Sequence, residues 1–86
     1  MFEFEVTKKS YTARDLIEIE GRNLAATFRV MARSLKTYKG SPVKPEDAHE
    51  TILNLDGEEL DIAVREFNQA FLEFRNIQSP PLNSGG

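Results

Sequence analysis

Phe2, Phe4 and Val6 alternate with Glu3 and Glu5, the period-two pattern of a strand with one buried face. Lys8-Lys9 can turn the chain and Ser10-Tyr11-Thr12 can return it, so residues 2–12 predict a short β-hairpin. A hairpin of this size is not stable alone, and its apolar face must rest on helices. Thr12 followed by Asp15 has the form of a capping box, with Asp in place of the usual Glu or Gln. From there a helical pattern runs over 13–38. Leu24, Phe28, Met31, Leu35 and Tyr38 recur at spacings of 4, 3, 4 and 3, and Leu16, Ile17 and Ile19 extend the stripe upstream. Gly21 costs about 1 kcal/mol relative to Ala within a helix and marks where this one can kink or break.

Gly40-Ser41-Pro42-Val43-Lys44-Pro45 reads as a loop. Pro45 suits the first turn of a second helix over 45–53, and Glu46 and Asp47 favour its positive end. Ala48 and Ile52 face inward. Asp56 and Glu59 form a second box-like cap, opening a third helix over 58–77. That helix carries Leu60, Ala63, Val64, Phe67, Phe71 and Phe74 along one side. The predicted fold is α+β and mainly α, a short N-terminal β-hairpin packed on a bundle of about three helices. Residues 1–77 form one small globular domain, and the Pro/Ser/Gly-rich residues 78–86 form a flexible tail.

Charge adds to this picture through its distribution more than through its net value of −3. Residues 21–45 hold Arg22, Arg29, Arg33, Lys36, Lys39 and Lys44 and no acid, whereas residues 46–76 hold nine acids against Arg65 and Arg75. The chain is electrically segregated. It has no cysteine, which excludes disulfides and thiolate metal sites and fits a cytosolic domain. Acids near the start replace the basic region of a signal peptide, and no apolar run reaches the roughly 20 residues of a membrane span. A cytoplasmic protein with no membrane partner is expected.

Residues suited to catalysis are sparse. His49 is the only histidine, the serines lack a nucleophile-elbow context, and the glycines form no phosphate loop. His49 with Glu46 and Glu50 lacks a second His or Cys to complete a metal set. Asp56-Gly57 fits no calcium loop, because Ile52 and Ala63 would occupy its first and last ligand positions. No enzyme, cofactor or metal is expected.

Two surfaces remain as candidates. Arg22, Arg29, Arg33 and Lys36, spaced 7, 4 and 3, line one face of the predicted first helix, nearly opposite its apolar stripe. Such a stripe is a solvated face, one paired with the acidic third helix of a second subunit, or a nucleic-acid ridge. A strand followed by helices has the order of ribbon-helix-helix regulators. Glu3 and Glu5, however, stand where a DNA-reading strand needs donors, so nucleic acid is not the expected partner. Phe67, Phe71 and Phe74 are core residues or the lining of a groove for an apolar partner segment.

The hairpin over Phe2–Thr12, the Thr-Ala-Arg-Asp-Leu helix start at 12–16 and the Pro-Glu-Asp start at 45–47 are joined by the Leu-Asp-Gly-Glu-Glu-Leu step at 55–60, which leads to Phe67 and Phe71. Together, over most of residues 2–77, this organisation resembles the tail assembly chaperones of long-tailed bacteriophages. The resemblance implies a non-enzymatic protein that coats the tape measure protein and recruits tail tube subunits. It also implies a client surface on Leu24, Phe28 and Met31 and on Phe67, Phe71 and Phe74, and a second reading frame overlapping the codons for Ser84–Gly86. An adaptor subunit of a host complex is the other non-enzymatic class left open, alongside the DNA-binding regulator.

Overall fold

A computed structural model describes residues 2–78. The elements run β1 (Phe2–Phe4), α1 (Ala13–Glu20), α2 (Leu24–Ser34), β2 (Leu35–Tyr38), β3 (Ser41–Pro42), α3 (Pro45–Leu53) and α4 (Gly57–Gln78). The fold is α+β and mainly α, as the periodicity predicts. The expected tail, apart from Gln78, lies outside the described residues.

The strand pairing differs from the predicted hairpin. β1 pairs antiparallel with β2, placing Phe2 opposite Tyr38, Glu3 opposite Thr37 and Phe4 opposite Leu35, with a bulge between Glu3 and Phe4. β2 also pairs with β3, giving the order β1-β2-β3. Residues 10–12 form no strand, because they serve other ends. The Ser10 amide donates to the Thr7 carbonyl (2.9 Å) and the Thr7 amide to Ser10 Oγ (2.9 Å), closing a tight turn. Thr12 then caps α1: its hydroxyl accepts from the Asp15 amide (3.2 Å), and the Asp15 carboxylate accepts from the Thr12 amide (2.9 Å). The true hairpin joins β2 to β3 through Lys39 and Gly40, whose φ values of 54° and 80° provide a left-handed two-residue turn.

The predicted helix over 13–38 is likewise three elements. It breaks at Gly21, whose amide donates to the Ile17 carbonyl, and Arg22 takes the left-handed region at φ 63°. Asn23 restarts the helix by accepting from the Ala26 amide at 3.2 Å. α2 then ends at Ser34, whose carbonyl is taken by the Glu5 amide (2.8 Å). Leu35 and Tyr38 continue the apolar spacing on a strand, where Tyr38 stacks on Phe2 with ring centroids 5.2 Å apart. The second and third predicted helices stand as α3 and α4.

The core is built from Phe2 and Val6, from Val30, Met31 and Leu35, from Ile52, and from Ala63, Phe67 and Phe71. Phe67 sits at its centre, edge-on to Phe4 (5.6 Å) and stacked with Phe71 (5.4 Å). Tyr11 meets Phe71 and Phe74 edge-on at 5.3 and 6.3 Å. α4 therefore packs on β1, and α2 packs against both α1 and α3.

Candidate functional site

The candidate client surface divides once folded. Met31, Phe67 and Phe71 are buried in the core, so they hold the fold together and are closed to a partner. Phe28 and Phe74 are half-buried. Leu24 stays 65% exposed at the start of α2.

Leu24 and Phe28 open onto a groove of about 490 Å³ between α2 and α4. Its other wall comes from Leu60 and Val64, one turn apart on α4, with Asp61, Arg65 and Asn68 at the rim. The sequence places Leu60 and Val64 on the same side as Phe67 and Phe71, yet the structure separates two faces. Ala63, Phe67 and Phe71 point into the core, while Leu60 and Val64 form a half-buried strip beside it. The signal available in the sequence is an apolar arc on α4 wider than one packing face needs.

The basic residues also divide, because they do not share a helix. Arg22 lies in the turn between α1 and α2, Arg29 and Arg33 on α2, and Lys36 on β2. Arg29 and Arg33 converge on α1. Arg29 Nη2 reaches Asp15 (3.1 Å) and Glu18 (2.6 Å), and Arg33 Nη1 reaches Asp15 (2.8 Å) and the Ser10 carbonyl (3.3 Å). The pairing is therefore within the chain, to α1. Asp15 is 3% exposed and bridges two helices while capping its own. Burial pushes its carboxyl up, but donation from the Thr12 amide, Arg33, Arg29 and the Thr12 hydroxyl outweighs this and brings it down to about 2.

That shift has a pH signature. The unfolded aspartate binds protons below about pH 4, before the folded one does, so the stabilisation is complete above about pH 5. It is lost as pH falls toward the folded value of about 2. With both guanidiniums about 40% exposed, screening reduces the effect to about 1–2 kcal/mol. Urea titrations at pH 6 and pH 2.5 should show this part of the acid destabilisation disappearing in Asp15→Asn. An unchanged acid dependence would contradict the assignment.

In a separate cluster, Glu59 accepts from the Tyr38 hydroxyl (2.8 Å) and Lys39 Nζ (3.2 Å), fixing the hairpin to α4. These two donors hold the Glu59 carboxyl below its ordinary value. Asp56 accepts from the Glu59 amide (2.8 Å), the expected cap of α4. His49, Glu46 and Glu50 are all exposed on α3, and among the described residues no three His, Asp or Glu side chains are grouped to hold a metal. No described helix is long and apolar enough to cross a membrane. No family model, curated protein or solved structure matches the chain.

Proposed function

We propose that this chain is a non-catalytic protein-binding subunit whose groove between α2 and α4 receives the apolar face of an amphipathic helix. The observation that carries the proposal is the groove itself. Leu24 and Phe28 from α2 and Leu60 and Val64 from α4 supply an apolar lining, and Asp61 and Arg65 supply polar groups of opposite sign beside it. Helix-in-groove recognition needs these two features, a trough for residues spaced three and four apart and a charged rim that sets register. Of these four, Leu24 is the most exposed (65%) and gains most from being covered.

Combined with the resemblance to tail assembly chaperones, this makes the protein a phage tail assembly chaperone acting in the host cytoplasm. The long helical tape measure protein is its client, and tail tube subunits are recruited to the complex. The functional surface is then centred on Leu24 and Phe28 and on the Leu60/Val64 strip of α4, while Met31, Phe67 and Phe71 belong to the core.

The test is titration of the full chain with synthetic helical segments of the tape measure protein encoded near its gene. Binding is expected, and Leu24→Asp and Val64→Asp should each weaken it by about ten-fold or more while circular dichroism stays helical, since a buried leucine is worth about 1.5–3 kcal/mol. Tight binding unaffected by either substitution would exclude the groove. Equal affinity for unrelated amphipathic helices would turn the reading toward an adaptor of another complex, and a gene neighbourhood without tail genes would remove the chaperone role.

A further inference from the structure

A second cleft, of about 450 Å³, lies where the end of α2 meets β2 and α3. Its floor is Ala32, Leu35, Val43 and Pro45, and its rim holds Arg33, Lys36 and His49, with Arg29 alongside. No acid lines it. Asp15, Glu18 and the Ser10 carbonyl occupy Arg29 Nη2 and Arg33 Nη1. The remaining guanidinium N–H groups have no acceptor among the described residues. Two arginines clamped on one side and open on the other are pre-organised for a further carboxylate.

The same face of α3 carries the complementary shape. Leu53 is 50% exposed and lies four residues beyond His49, about 6 Å along the helix. Glu46 and Glu50, both exposed, flank it on the outer side, and Asp56 follows in the turn. This is an apolar knob with an acidic collar beside an apolar socket with a basic collar.

We propose that two copies of the chain pair through α3, the Leu53 of each seated in the cleft of the other. Knob and socket are neighbours on one helix face, so a two-fold axis across α3 satisfies both at once, as a closed isologous contact requires. Antiparallel α3 helices also set the N-terminal pole of each backbone dipole against the C-terminal pole of the other, which favours this direction over a parallel one. Segregation of base and acid along the chain then has a structural use. Each copy brings the Arg33/Lys36 rim to its partner's Glu50 and offers Glu50 in return. The contact lies on a different face from the α2–α4 groove and does not depend on it.

Sedimentation equilibrium of the full chain tests this. The wild type should dimerise with a dissociation constant on the order of 10 μM, as a small interface allows, and should weaken as salt rises. Leu53→Asp should weaken the dimer by about 100-fold, by losing a seated leucine and placing an acid in the socket. Lys36→Glu and Glu50→Lys should each weaken it about ten-fold, and the chain carrying both should recover most of that loss. All variants should keep wild-type circular dichroism, and Leu53→Asp should bind groove peptides normally. A wild type monomeric at about 1 mM, far above that constant, or a dimer indifferent to Leu53→Asp, would overturn the proposal. Failure of the double swap to recover would exclude the Lys36–Glu50 pairing and with it this geometry.

Discussion

Phe67→Ala is expected to lower the unfolding free energy by about 3–5 kcal/mol, among the largest losses any single truncation can cause here. Phe67 is 1% exposed and is the largest fully buried side chain. Its ring joins the β1 face, through Phe4, to the C-terminal half of α4, through Phe71. A small domain has few ways to refill such a gap, since β1 is three residues long and cannot move inward without leaving β2. The net stability of a domain this size is itself on the order of 5–10 kcal/mol, so the variant should be close to unfolding at 37 °C. Urea denaturation followed by circular dichroism measures the loss directly. A loss below about 1 kcal/mol would place the ring on a surface and contradict the packing of α4 on the sheet.

Asp15→Ala is expected to cost about 3 kcal/mol, from two sources that can be separated. The first is the cap: the carboxylate that accepts from the Thr12 amide is removed, and N-terminal capping is worth about 1 kcal/mol. The second is the ion cluster. Arg29 keeps Glu18, but Arg33 is left with only the Ser10 carbonyl, and breaking a buried pair by removing one partner typically costs about 3–5 kcal/mol, less where the guanidiniums reach solvent. Asp15→Asn retains an acceptor for the cap and should lose only the second part. Chemical denaturation of both variants provides the comparison. Equal losses would assign the whole effect to charge, and a loss under about 1 kcal/mol in Asp15→Ala would dismiss the cluster as a tie between α1 and α2.

Much of this architecture is legible in the residues, and the parts that are not share a cause. α3 and α4 can be read because their signals are local: Pro45 with Glu46 and Asp47, and Asp56 with Glu59, sit next to the helices they start. The Thr12/Asp15 capping box is local in the same way. The strand pairing is not. Phe2 meets Tyr38 across most of the N-terminal half of the chain, and nothing near Phe2 announces that partner, so the nearest extended segment at Ser10–Thr12 looks like the hairpin. Leu35 and Tyr38 misled for another reason. A spacing of three fits an apolar helix stripe, and tertiary pairing with β1 overrides it once the Glu5 amide takes the Ser34 carbonyl.

The candidate surfaces follow the same division. Leu24 and Phe28 belong to the apolar stripe, but only the placement of Leu60 and Val64 along the same groove distinguishes that groove from core. Asp15 reads as a cap, whereas its role as the anchor of Arg29 and Arg33 depends on α1 folding back along α2 after Arg22. The basic stripe dissolves for that reason. Its members lie on a turn, a helix and a strand, and two of them are tied to α1.

The most direct measurement of the central claim is an amide chemical-shift map of the wild-type chain titrated with a helical segment of the tape measure protein. Binding in the groove predicts that the largest changes fall on Leu24, Phe28, Leu60 and Val64 and on rim residues Asp61 and Arg65, with α3 from Ala48 to Leu53 nearly unmoved. Saturating binding with its largest changes on α3 or on β1, and none along α2 and the first turns of α4, would contradict it.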